Sequence, residues 1–129
     1  MTGYKKLNLS EVKDLAPDFG MGDMGEARFA REALGAEGIG LACYRMNPGR
    51  RIEFGHHHSE AEETYLVLSG SGRFKVGDEV FDVGPRDVVY VAPAEMRAWE
   101  AGDDGLEMIA FGSRDEGGGA EMQPGWWSD

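Results

Sequence analysis

The stretch "RIEFGHHHSEAEETYLVLSGSG", Arg51 to Gly72, holds all three histidines of the chain. Side chains along a strand alternate faces, so His56 and His58 point one way and His57 the other. The same parity carried backward puts Ile52 and Phe54 beside His56 and His58. These are the apolar members of the run, so their face is expected to be the interior. His57 is then expected to be a solvated side chain on the outside or at the mouth. In the following run Glu63, Tyr65 and Val67 share one face, and Glu62, Thr64, Leu66 and Leu68 the other. Both faces are partly apolar, so parity leaves open which glutamate points inward. A buried carboxylate is costly unless it meets a cation or a metal. Two neutral imidazoles and one carboxylate that converge make a site for a divalent transition metal.

The flanking sequence reads as short strands separated by turn residues. "GIGLACYRMNPG" predicts a strand ended by Asn47-Pro48-Gly49, and "TYLVLSG" another, with Gly70-Ser71-Gly72 as a tight reversal. In "RFKVGDEVFDV", Phe74 and Val76 alternate with charged residues, and Phe81 and Val83 resume the alternation. This predicts a hairpin turning near Gly77-Asp78. "DVVYVAP" and "RAWEA" are further predicted strands, and "LEMIAFG" is the last, after a turn at "GDDG". "ARFAREALG" is read as a strand with Phe29 and Arg31 on one side. A short helix capped by Ser10 is predicted in "NLSEVKDLAP", with Pro17 following its end. The pattern argues an all-β, antiparallel sandwich or barrel in one domain, residues 1–129, with its core at about 27–112. The tail, residues 113–129, contains flexible glycines and then Trp126 and Trp127. Two adjacent tryptophans are costly in water, so they are expected to dock on this barrel or a neighbouring subunit.

Most of the twenty glycines and all five prolines fall singly between the apolar runs, as turns do. The net charge of -11, with no basic cluster, argues against nucleic acid and anionic membrane surfaces as partners. The one cysteine, Cys43, excludes an intrachain disulfide framework and fits a reducing cytoplasm. It lies in an apolar strand, where an inert thiol is expected. The N-terminal residues lack the apolar stretch of a signal peptide, and no run is long enough to span a bilayer. The chain is thus read as a soluble, cytoplasmic protein. No Ser/His/Asp order, phosphate-binding glycine loop or CxxC is present, which leaves covalent hydrolysis and nucleotide chemistry without support.

The spacing Gly49…His56-x-His58-x4-Glu63-x6-Gly70 resembles the first motif of the cupin superfamily, small double-stranded β-helix or jelly-roll barrels. It has one extra residue between Gly49 and His56. A second cupin motif is recognisable in "RDVVYVAPAEMRAW", in altered form. Arg86 and Ala94 stand where the motif has glycines, Ala92 where it has proline, and Arg97 where it has a metal-binding histidine. The resemblance covers roughly residues 38–112. It implies that His56, His58 and Glu63 ligate a metal inside the barrel, and so selects Glu63 over Glu62. It also implies a homodimer, in which the outward row Leu66 and Leu68 is covered.

Three readings of Arg97 follow. A metal such as Fe, Mn, Ni or Zn stays on the three remaining ligands, with Arg97 anchoring a substrate anion. Alternatively Arg97 pairs with Glu63 in a metal-free barrel, or it turns outward. Tyr65 and Trp99 are the further candidates for substrate contact, and Tyr44 and Tyr90 could line the same pocket. The resemblance implies a dioxygenase, isomerase or cyclase acting on a small anionic molecule. The alternative is a non-catalytic barrel that binds a small ligand.

Overall fold

The computed structural model describes residues 3–114 and 120–129. Its strands are β1 (Gly25–Phe29), β2 (Ile39–Met46), β3 (Gly55–His58), β4 (Glu63–Val76), β5 (Glu79–Val83), β6 (Val88–Val91), β7 (Arg97–Ser113) and β8 (Ala120–Gln123), with a four-residue helix α1 (Arg31–Leu34) between β1 and β2. All strand pairs are antiparallel, and the sheet curls into a barrel. The tail glycines Gly117–Gly119 lie outside the described residues.

Two long strands form the spine. β4 and β7 pair along almost their whole length, from Glu63 opposite Gly112 to Val76 opposite Arg97. The free edge of β4 takes β6 near Glu63 and β5 near Val76. The other edge of β7 takes β2 along its second half and the histidine strand β3 at its start.

Here the structure corrects two predicted turns. Gly70-Ser71-Gly72 is no reversal, and "GDDG" does not end a strand; both are irregularities inside continuous strands. The register slips between Val67 and Ser69 and again between Gly70 and Gly72. Gly70 and Gly105 carry positive φ there, and a Cβ on Gly70 would lie 2.1 Å from the Gly105 carbonyl oxygen. Only glycine permits that approach. The slips also switch the inward face from Tyr65 and Val67 to Phe74, which keeps both halves of β4 in one core.

The hairpin at Gly77-Asp78 forms as predicted, with Val76 opposite Glu79. The N-terminal helix does not. Leu9–Glu11 is a single 3-10 turn, capped by Asn8 and not by Ser10. In "ARFAREALG", β1 stops at Phe29 and Arg31 begins α1, so the two residues do not share a strand face.

The core gathers around Trp99, whose ring lies 5.1 Å from Tyr65, 5.2 Å from Tyr44 and 5.7 Å from Phe74. Leu68, Val88, Tyr90 and Phe111 remain exposed on the outer face. The two tail tryptophans pack on the chain's own barrel. Trp126 covers Gly55 and donates its backbone N–H to Glu53, and Trp127 Nε1 donates to the Ile52 carbonyl at 2.8 Å. No helix among the described residues is long and apolar enough to cross a membrane.

Candidate metal centre

The pleat puts His56 and His58 on the inner face of β3, and Ile52 and Phe54 line the same cavity of about 680 Å³. Glu63, the first residue of β4, enters from across the barrel, which resolves the choice between the two glutamates. One ligand atom from each of His56, His58 and Glu63 lies within 4.8 Å of the others. The Nε2 atoms of His58 and His56 stand 3.2 and 3.6 Å from Glu63 Oε1. Ligands held at about 2.0–2.2 Å from one ion are separated by roughly 3–3.6 Å, so this donor set fits a small divalent cation.

Glu63 Oε1 also accepts the Tyr65 hydroxyl at 2.7 Å and faces Arg97 Nη1 at 3.4 Å. Burial alone would raise the Glu63 pKa. The hydrogen bonds from His56, His58 and Tyr65 outweigh it and hold the carboxyl well below the usual range. The group is therefore an anion in place to bind a cation.

Arg97 is 0% exposed and its Nη2 donates to the Ala92 carbonyl at 2.8 Å. It lies behind Glu63 and does not line the cavity. The reading in which it turns outward is therefore incorrect: the strand pairing directs its side chain into the barrel with that of His56. Tyr65 is likewise fully buried, with its hydroxyl on Glu63, whereas Trp99 and Tyr44 form part of the cavity wall. Tyr90, grouped with them from sequence, is on the outer face, where it donates to Glu62. His57 points away from the cavity, and its Nε2 lies 3.2 Å from Glu121 of β8. Cys43 is half-buried, and burial pushes its thiol pKa up, which suits an unreactive group.

Sequence reasoning missed Arg31. The sequence pattern places it in a strand, yet it stands at the start of α1 and borders the same cavity as His58 and Glu63. The signal that pointed to it is the glycine at position 40. A Cβ there would lie 2.7 Å from Arg31 Nη2.

A barrel with paired histidines and a carboxylate on its inner face is the cupin arrangement, and the family model described as "Cupin domain" matches residues 43–111. The chain belongs to the cupin family. No curated protein matches. Among solved structures, a cupin protein from Bacteroides fragilis superposes with a TM-score of 0.71 at 20% identity, covering 92% of this chain and 89% of that one. An oxalate decarboxylase from Bacillus subtilis, with Mn(II) centres, gives a TM-score of 0.70 at 25% identity over 85% of this chain. This chain covers 29% of that enzyme's length. KdgF from Halomonas sp. gives 0.68 at 17% identity, over 89% of this chain and 98% of its own.

Proposed function

We propose that this cupin holds a divalent transition metal on His56, His58 and Glu63 and acts on a small anionic organic molecule. The observation that carries this reading is the convergence of the three ligand atoms within 4.8 Å on the wall of a large cavity. The Mn(II) centres of the similar oxalate decarboxylase support a divalent ion. Dioxygenase, isomerase or cyclase chemistry fits the set, which resembles a facial triad with open positions. When bound, the ion supplies a Lewis acid for a chelated oxygen.

The protein's own groups do the rest. Tyr65 and Arg97 hold Glu63 ionised and oriented from behind, the role that outer hydrogen bonds play at metal sites. We assign them to that task and not to substrate contact. The aromatic faces of Trp99 and Tyr44 exclude water from one side of the cavity. The reading includes a cytoplasmic homodimer. The single cysteine supports the compartment, and the exposed row Leu68, Val88, Tyr90 and Phe111 supports the dimer.

A second reading has its own observation. Arg97 Nη1 lies 3.4 Å from Glu63 Oε1, so the pair can balance its own charge in a metal-free, ligand-binding barrel. Elemental analysis separates the two. Tag-free protein is stripped by mild chelation and reloaded with Fe, Mn, Ni or Zn. The metal reading expects about one equivalent of one ion; uptake below about a tenth of an equivalent of every ion leaves the metal-free barrel.

A further inference from the structure

We propose that Arg31 is the anchor for the ligand's anionic group, and that the ligand is an amphiphilic monocarboxylate with an aliphatic or aromatic body. This rests on the reading of the cavity as a ligand site, but not on a bound metal.

Arg31 is half-buried and borders the cavity together with His56, His58 and Glu63. Its guanidinium lies over a bare patch of sheet. Gly40 of β2 and Gly112 of β7 are register partners, and both lack the side chain that would fill the space. Arg31 Nε donates to the Ile39 carbonyl at 3.1 Å, and Nη2 reaches the Gly112 carbonyl at 3.5 Å. On the other side of Gly112, a Cβ would lie 3.5 Å from Glu63 Cγ. Arg31 and Glu63 therefore flank one glycine.

Among the described residues this cation has no acidic partner: no carboxylate lies within ion-pair distance of Arg31. Glu26, the other acidic group on the cavity wall, is engaged by Arg28 and Arg45 at 3.2 and 3.1 Å. Glu63 is balanced by Arg97. A half-buried guanidinium bonded only to neutral carbonyls still has a planar edge to offer, and a carboxylate is its two-pronged match.

The remaining wall sets the body of the ligand. Met21, Met24, Leu41, Tyr44, Phe54 and Met122 line it, so most of what a ligand buries there is apolar. At about 680 Å³ the cavity is far larger than a two-carbon diacid requires, and a strongly hydrated dianion would lose its water without replacement. Flexible methionines suit chains of variable shape.

Calorimetric titration with butanoate, hexanoate, octanoate, 1-octanol and oxalate tests the proposal. Affinity is expected to rise roughly fourfold per added methylene. Octanol is expected to bind at least tenfold more weakly than octanoate. Arg31→Gln should erase that preference while leaving octanol affinity unchanged, and Arg31→Lys should keep part of it. Gly40→Ala, whose Cβ displaces the guanidinium, should weaken octanoate binding in a chain that retains every arginine. Oxalate binding as tightly as octanoate overturns the proposal, as does a preference that survives Arg31→Gln and Gly40→Ala, or no binding by any probe. Metal uptake is measured in parallel: wild-type protein that takes up no metal yet prefers octanoate defeats the metal reading and supports this one.

Discussion

His56 and Arg97 are direct partners across the β3–β7 pairing, so a potential metal ligand and a guanidinium leave neighbouring strands on the same face. Arg97 is thereby delivered to the carboxylate that the two histidines share, at 3.4 Å from Glu63 Oε1. A cation that close to a divalent ion is repelled by several kcal/mol at an effective dielectric near ~20. Its hydrogen bond to Ala92 holds it on the far side of Glu63.

Replacing this residue tests its two effects separately. Arg97→His is expected to raise affinity for Zn or Ni at least about tenfold, because an imidazole replaces a repelling charge. Arg97→Met keeps the volume but leaves Glu63 without its cation, and should cost about 3 kcal/mol in urea unfolding. A folded Arg97→His protein with unchanged metal affinity would mean that the charge at position 97 does not reach the ion.

The three adjacent histidines are expected to separate sharply. His56→Ala or His58→Ala should abolish stoichiometric metal uptake, measured by elemental analysis of tag-free protein. His57→Ala should leave uptake and stability unchanged, since its ring faces away from the cavity toward the exposed carboxylate of Glu121. Loss of metal in His57→Ala would show that β3 twists enough to bring the middle ring inward.

Much of this site was legible from the pleat alone. Alternation placed His56, His58, Ile52 and Phe54 on one face, and the cavity lining agrees. Alternation failed to choose between Glu62 and Glu63, because both faces of that strand carry apolar residues; the motif spacing decided it. It failed again at Gly70-Ser71-Gly72, where glycine-rich chemistry suits a bulge as well as a turn. A bulge is recognised by its partner strand, here the glycines of "GDDG" about thirty residues later. Arg31 was missed for a similar reason. Its role depends on glycines at 40 and 112, which only folding brings together.

Arg86 is the only non-glycine among the described residues with positive φ, at 74°. It occupies the place where the cupin motif resembled by this chain has glycine. The turn is pinned by Arg86 N–H to the Val67 carbonyl and by Gly84 N–H to the Asp87 carboxylate. The left-handed conformation crowds a Cβ against the backbone. Arg86→Gly is therefore expected to stabilise the fold by about 1 kcal/mol in urea unfolding, whereas Arg86→Ala, which removes the same charge but keeps the Cβ, gives no such gain. Equal effects from both variants would assign the change to charge and not to strain.

The tail clasp should prove sensitive to acid. β8 pairs with β3 along all four of its residues, so the tail secures the histidine strand along its edge. Trp127 anchors that tail, with the Arg51 guanidinium 4.3 Å from its ring centroid and its own Nε1 on Ile52. Asp129 reaches Arg73 at 3.0 Å and Arg51 at 3.3 Å, and these contacts, Arg73 foremost, lower its pKa. A depressed folded pKa contributes stability above the unfolded value of about 3.9, and that stability disappears as pH falls through the folded value. Trp127→Ala should cost about 2 kcal/mol, its cation–π contacts with Arg51 and Arg73 plus one hydrogen bond, and should speed amide exchange across His56–His58 at neutral pH. Wild-type protein should show the same loss of protection, taken relative to the intrinsic exchange rate at each pH, only as pH drops below about 4, and Asp129→Asn should show it already at neutral pH and lose the acid dependence. Exchange at β3 that ignores both substitutions would mean the tail rests on the barrel without holding the metal strand in place.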